Sequence, residues 1–431
     1  MAASTTPTNW AGNVAFGAAR LHRPQSLAEL RGIVKTADKV RVLGTGHSFN
    51  RIADTPADLV SVAGLPRVVE IDTANATAQV SAGLRYAEAA EQLHRAGYAL
   101  ANLASLPHIS IAGACATGTH GSGDGNGPLA SAVSGVRMVG SGGETVELFR
   151  AHDPERFAGA VVNLGALGVV TSVTLDLLPT FDVAQYVYEG LSLELLAEDF
   201  TAVFGAAYSV SVFTDWADGS GRIWVKQRLD AQTDASSGSA APARPAQWLG
   251  ARLADGPRHP VPGMSTQSCT EQGGVPGPWH ERLPHFRPEF TPSAGEELQS
   301  EFLLPRAAAP QAIAALLALG ERIAPVLLTS EIRTIAADEQ WLSPAYGRDS
   351  VAFHFTWVKQ PEAVAPVLAE IEGALMPLGG RPHWGKVFSV PSSQLAGLYE
   401  HAGDFTALAA ELDPAGKFRN RYVADVFPAL G

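Results

Sequence analysis

The sequence predicts an α+β fold in two main parts, and three observations carry that expectation. Its 431 residues exceed what one ordinary hydrophobic core organises, so two domains are the natural division. Up to Pro179 short strand and helix signals intermingle, whereas beyond it the strand-like runs are longer and read as one antiparallel sheet flanked by helices. Within the first part, the glycine-rich run from Leu103 to Pro128 is irregular on a scale that compact proteins seldom carry unless the segment binds something.

In the first part, Ser26-Leu27-Ala28-Glu29 reads as a capping box, and Leu30, Ile33 and Val34 follow at helical spacing. A strand over 40–43 runs into the turn Gly44-Thr45-Gly46-His47. Strands over 59–62 and 68–71 come next, and 79–81 pairs with the second across the polar turn 72–75. A helix over 86–95 stops at Gly97, a residue suited to the left-handed conformation after a helix end. That closes a small unit near residue 100. Strands over 133–139 and 145–149, a helix over 157–164 and a buried strand over 169–178 complete the part.

In the second part, strands are expected at 186–188, 210–213, 223–226, 297–304, 326–335 and 351–357, with helices at 193–204, 307–323 and 361–376. The Ala/Ser/Pro bias of 231–245 predicts a flexible excursion. The tail is helical over 395–409 and extended over 413–420. The expected division is 1–179, 180–389 and a C-terminal segment 390–431 that returns to the first part.

Composition removes several classes of function. A net charge of −12 is spread along the chain without the basic stripe that nucleic acid requires, and it disfavours anionic membrane surfaces. With only Cys115 and Cys269, a disulfide framework and a four-cysteine zinc site are both excluded, and no metal is expected. No apolar run reaches the roughly 18 residues of a membrane span, and residues 1–13 lack the features of a signal peptide. The expectation is a soluble, cytoplasmic, monomeric protein.

The strand–turn Arg41-Val42-Leu43-Gly44-Thr45-Gly46-His47-Ser48 is shaped for a pyrophosphate, because two glycines let backbone N–H groups approach an anion closely. It is not a Rossmann turn: Phe49 stands where that fingerprint needs its third glycine, and Asn50-Arg51 follow. On this loop alone, a surface turn with an incidental histidine remains an equal reading. Further along, Glu331 and Arg333 alternate with Ile332 on one expected strand. His354 and Thr356 alternate with Phe353, Phe355 and Trp357 on the next. Each strand therefore offers a polar face backed by an apolar one, as either a site or a solvent-exposed sheet would.

Four ordered segments resemble one family, the vanillyl-alcohol-oxidase-like flavoproteins, in their aldonolactone and alditol oxidase branch. They are Gly44-Thr45-Gly46-His47-Ser48; Ser105-Leu106-Pro107-His108-Ile109-Ser110 with Gly113 and Ala116-Thr117-Gly118-Thr119-His120-Gly121; Leu164-Gly165-Ala166-Leu167-Gly168-Val169-Val170; and His383-Trp384-Gly385-Lys386. Within the branch, Glu331-Ile332-Arg333, the run 351–357 and Gly385 make the chain more similar to the alditol oxidases than to the sugar-lactone oxidases.

The resemblance implies a two-part FAD-binding domain over 1–179, a substrate-binding cap over 180–389, and FAD bonded covalently through His47. It places Arg41, Val42, Leu43, Gly44, Thr45, Gly46, Ser48, Ser105, Ser110, Gly113, Ala114, Cys115, Ala116, Thr117, Gly118, Val169 and His383 around the cofactor. His108 and His120 are then structural or supporting. The implied activity is oxidation of a terminal CH2–OH of a small polyol, with O2 reduced to H2O2. Arg333 and Lys386 would hold the reacting oxygen as a doubly cationic corner, with Glu331 and His354 beside it and Ser105 and Thr356 along the chain of hydroxyls. Lys386, Glu331 and His354 all remain candidates for the base. A sugar-1,4-lactone (gulono- or galactonolactone) oxidase or dehydrogenase of the same branch is the alternative enzyme, and a flavin- or carbohydrate-binding protein without turnover is the alternative of another class.

Overall fold

Short strands punctuated by glycine and proline gather into separate sheets in the first part of the chain, as seen in a computed structural model describing residues 7–229, 244–290 and 295–431. A parallel sheet has the order Arg20–His22, Asp58–Val60, Val40–Val42. An antiparallel sheet runs Val69–Asp72, Thr77–Ser81, Val169–Asp176, Val133–Val139, Thr145–Phe149. The helix Leu27–Thr36 starts where Ser26 Oγ accepts from Glu29 N at 3.2 Å. The Glu29 carboxylate accepts from Gln25 N at 2.7 Å rather than from Ser26, so only half of the expected capping box forms. The helix Tyr86–Arg95 ends as expected, with Gly97 at φ +86°.

Two local expectations need correction. The helix placed at 157–164 forms earlier, at Pro154–Ala160. Asp153 caps it by accepting from Arg156 N at 3.2 Å, Pro154 opens it, and Leu164 and Gly165 both take positive φ beyond its end. Within the irregular run, residues Ile111–Ala116 form a short helix whose small side chains gave no periodic signal.

The second part is built on a 10-stranded sheet. Its central order is Asp182–Ser192, Ser220–Leu229, Ser209–Thr214, Leu327–Ile335, Ser350–Val358, Glu297–Pro305. Helices cover one face. The expected helix at 193–204 is broken at Asp199 into Leu193–Glu198 and Phe200–Phe204, and that at 307–323 becomes Ala309–Ala318 and Gly320–Ile323. With Pro361–Leu375 they bury Ile332, Phe353, Phe355 and Trp357 completely. Burying these four side chains contributes on the order of 1.5–3 kcal/mol each. The opposite face is the polar one, and it is turned toward the first part.

The tail forms helices Ala402–Leu412 and Arg421–Val426, the second of which the sequence reading left out. It docks on the N-terminal part: Val40 N donates to Lys417 O at 2.9 Å, and Asn420 Nδ2 donates to Asp54 O at 2.9 Å. The expected excursion at 231–245 falls almost wholly outside the described residues. No helix among the described residues is long and apolar enough to cross a membrane.

Candidate active site

Backbone pairing stops in the loop after Val40–Val42, and the residues of that loop line a cleft. Leu43 N still donates to Val60 O at 2.8 Å, and Phe49 N donates to Gly385 O at 2.7 Å. Between them, the N–H groups of Gly44, Thr45, Gly46, His47 and Ser48 have no acceptor among the described residues. Such a run of free donors, bent by Gly46 at φ +73°, forms a concavity suited to an anion. Ser110 ties the second loop to it by donating its N–H to Thr45 Oγ1 at 3.2 Å. A Cβ at Gly44 would lie 2.4 Å from Ser110 Oγ, so the two loops meet where one side chain has been given up.

His47 is half-buried, stacked on Trp10 with ring centres 5.1 Å apart, and its Nδ1 is 3.0 Å from Thr45 Oγ1. Burial first, then the charges of His108, Lys386 and Arg85, lower its pKa to about 4, so the imidazole is neutral. Val42, Leu43, Ser48, Ser105, Gly113, Ala114, Ala116, Thr117 and His383 line the same cleft. Cys115, Gly118 and Val169 stand behind its wall. Cys115 Sγ is 3.4 Å from Tyr86 Oη, and Val169 is fully buried in the core. Arg41 lines the cleft too, but its guanidinium is committed within the protein. Its guanidinium donates to the carbonyls of Ile52, Leu164, Gly165 and Phe418, which ties the loop to the C-terminal tail.

The sheet forms the facing wall. Glu331 and His354 are direct cross-strand partners, so their side chains project together, with Arg333 and Thr356 two residues along. Glu331 is 4%, Arg333 6% and His354 8% exposed, which decides between the two readings of this face: it is covered by the loops of the first part and is not a solvated surface. Ser105, on one of those loops, is 3.5 Å from Arg333 Nη1. His354 Nε2 is 3.2 Å from Thr356 Oγ1.

The third strand supplies a residue that the sequence reading missed. Glu301 pairs in register with His354, forms an ion pair with Arg333, and lies 3.3 Å from His120 Nε2 and 3.5 Å from His354 Nδ1. Burial pushes its carboxyl up, but Arg333, His120 and His354 outweigh this and hold it well below the usual range. The corner expected to be doubly cationic is therefore charge-compensated. The alternation Glu297, Gln299, Glu301 on an expected strand was the available signal.

Lys386 Nζ donates to Gln299 Oε1 and stands 5.3 Å from the centre of the Phe49 ring. Burial lowers its pKa to about 8; Glu301 opposes the shift and Arg333 adds to it. Burial likewise raises the Glu331 carboxyl, yet Arg333 and His285 more than offset it and keep that group ionised. His383 Nδ1 accepts from Gly385 N at 3.1 Å, while its buried Nε2 has no hydrogen-bond partner among the described residues. His120 is a buried support, and His108, bonded to Pro288 O at 2.8 Å, lies off the cleft. Together, a line of free amides, an orphaned imidazole nitrogen and a neutral His47 fit a dinucleotide cofactor such as FAD on one wall, and the polar sheet face fits a hydroxylated substrate on the other.

Residues 18–148 match the family described as FAD binding domain, and residues 296–426 match D-arabinono-1,4-lactone oxidase. The chain is 51% identical over 427 residues to alditol oxidase from a Streptomyces species, covering 98% of this chain and 99% of that protein. It is 28% identical to L-gulono-1,4-lactone dehydrogenase of Mycobacterium tuberculosis, over 97% of this chain and 98% of that one. It is 25% identical to L-gulonolactone oxidase of Bos taurus, with 97% of both chains covered. Among solved structures, cholesterol oxidase from Brevibacterium sterolicum has a TM-score of 0.77 at 14% identity, over 98% of this chain and 96% of that one. At that identity the likeness is one of fold.

Proposed function

The chain belongs to the alditol oxidase family of FAD-binding oxidoreductases, and we propose that it oxidises the terminal primary hydroxyl of an open-chain polyol such as xylitol or sorbitol to an aldehyde. In this reading residues 1–179, completed by 390–431, hold FAD, and 180–389 form the cap over the substrate. The free amides of Gly44 to Ser48 receive the pyrophosphate, with Ser110 and Thr117 opposite, and His383 Nε2 meets the flavin side. His47, being neutral, carries the free electron pair that a covalent bond to the flavin requires. Bound there, FAD would supply the two-electron acceptor for the hydride of the carbinol carbon, and O2 with two protons would be the final acceptor, giving H2O2.

The chain's own residues manage the hydroxyl and its proton. Arg333, anchored by Glu301, and Lys386 hold the reacting oxygen. Glu331 and His354 accept or donate at that oxygen or its C2 neighbour, and Ser105 and Thr356 contact the hydroxyls beyond. Of the candidate bases, Glu331 is too acidic to take an alcohol proton readily, whereas the lysine pKa of about 8 matches the task. Burial lowers His354 and makes it a weaker base, so the Lys386 amine takes the hydroxyl proton as the hydride departs.

The observation that carries this reading is the burial of a polar sheet face beneath the loop of Ser105 and His120, in the same cleft as the free amides. Polyol in preference to lactone is favoured by 51% identity to an alditol oxidase against 28% to a lactone dehydrogenase. The test is anaerobic mixing of purified protein with xylitol and, separately, with L-gulono-1,4-lactone. Bleaching of the yellow flavin by xylitol is expected. Bleaching by the lactone alone would establish the alternative substrate class, and bleaching by neither would leave a binding protein. Acid denaturation completes the test: flavin retained on the peptide containing His47 establishes the covalent bond, and flavin released to the supernatant removes it.

A further inference from the structure

Two buried side chains on the polar side of the sheet, beside the cleft, have no part in the mechanism above. Lys226, on the strand Ser220–Leu229, is 2% exposed and donates to the carbonyl of Leu283; it has no ion-pair partner among the described residues. Its Nζ is 3.4 Å from His285 Nδ1. On the far side of the ring, His285 Nε2 is 3.0 Å from Glu331 Oε1. The imidazole is fixed in place, with Phe213 edge-on at 5.1 Å, Trp224 at 6.4 Å, and its backbone N–H on Ser105 O at 3.2 Å.

The chemistry of this chain runs one way. An ammonium only donates and a carboxylate only accepts. His285 between them must accept at Nδ1 and donate from Nε2, so it is neutral and held in one tautomer. We propose that Lys226 and His285 are positioning residues: the lysine fixes the tautomer of His285, whose Nε2–H pins Oε1 of Glu331 and leaves Oε2, beside Arg333, to meet a substrate hydroxyl. This rests on the reading that Glu331 faces the polyol.

The groups around the network agree with it. Lys226 is faced by His285, Glu331 and Arg333, and Glu331 by Arg333, His285, His354 and Lys386. Burial, then Lys226, lowers His285 to about 4, so it stays neutral through the working range. Burial lowers Lys226 to about 7. Above neutrality its amine accepts as well as donates, and the lock on the tautomer loosens.

The test is histidine 15N NMR on the holoprotein at pH 6, with the His285 signal assigned by its absence in His285→Gln. The neutral Nε2–H tautomer is expected in the wild type, a share of imidazolium in Lys226→Met, where Nδ1 of the Glu331-bound ring no longer meets an ammonium, and the wild-type pattern again in Lys226→Gln, which keeps a donor to Nδ1. With xylitol, Lys226→Met should lose roughly tenfold in kcat/KM, the scale of one hydrogen bond to a charged group, and Lys226→Gln should recover most of it. An Nδ1–H tautomer or an imidazolium in the wild type would overturn the proposal. So would a Lys226→Met protein indistinguishable from wild type in both readouts. If Lys226→Met does not fold, the wild-type tautomer decides alone. Because the NMR needs no substrate, a wild type inert toward polyols would refute the functional reading and leave this test standing.

Discussion

Replacing Lys386 by Met tests the central step of the proposed chemistry, because it keeps the aliphatic length of the side chain and removes only the amine. Two effects are lost together, a proton acceptor and a donor to the oxygen on which charge develops. General-base catalysis is worth roughly 10²–10⁴-fold, and one oxyanion donor roughly 10²–10³-fold. Because a single amine serves both, the expected loss in the rate of flavin reduction is about a thousandfold rather than the product. Gln299 Oε1 also loses its donor, costing about 1 kcal/mol of stability, which a melting curve separates from the rate. The wild type gives a second check. With a lysine pKa of about 8, roughly a tenth of the amine is neutral at pH 7, so the rate should rise about tenfold per pH unit below 8 and level off above it. The assay is anaerobic stopped-flow reduction by saturating xylitol across pH 6 to 10, a range chosen to bracket that value at about two units either side. A pH-independent rate, or less than a tenfold loss in Lys386→Met with flavin still bound, would remove the lysine from the chemistry.

Glu301→Gln should lower the rate of flavin reduction by at least about a hundredfold, since breaking a buried ion pair costs on the order of 3–5 kcal/mol and releases both Arg333 and His354; stopped-flow traces alongside melting curves would apportion the loss. Arg41→Met leaves the carbonyls of Ile52, Leu164, Gly165 and Phe418 without their donor and should destabilise the fold by roughly 3 kcal/mol or more, read by urea unfolding, with the tail cleaved early in limited proteolysis. An aldonate of the same chain length as a good polyol substrate should show a KM at least about tenfold higher, because Glu301 and Glu331 already meet the charge of Arg333 and would repel its carboxylate; equal KM values would contradict that compensation.

What the sequence made legible follows from period and punctuation. Strands read well where alternation was strong: 327–335 and 350–358 carry an unbroken polar/apolar alternation at Glu331, Ile332, Arg333 and at Phe353, His354, Phe355. The face that mattered could not be told from a solvated one, since alternation is blind to what lies across from it. Only the tertiary fold showed that the loop carrying Ser105 and His120 covers it. The helix Ile111–Ala116 was hidden because Ile-Ala-Gly-Ala-Cys-Ala has almost no amphipathic contrast. The helix at 154–160 was misplaced because apolar residues beyond it were read as its continuation, although Asp153-Pro154 marked the start. Glu301 and His285 were missed for a different reason. Each gains its role from partners far away in sequence, Arg333 and Glu331 respectively, and no local pattern encodes those pairings.

The same long-range pairings explain why this cleft suits an uncharged substrate. Arg333 and Lys386 alone would attract an anion. The strand Glu297–Pro305 places Glu297 and Glu301 on their face of the sheet, and Glu331 lies beside Arg333 with Oε2 3.6 Å from its Nε. Arg333 is thereby left with donors but without net attraction, since its charge is already met inside a buried wall where an unpaired charge would be costly. A neutral hydroxyl can then bind by exchanging hydrogen bonds without disturbing that balance. It is the arrangement expected where charge must develop on the substrate oxygen during the reaction rather than arrive with the substrate.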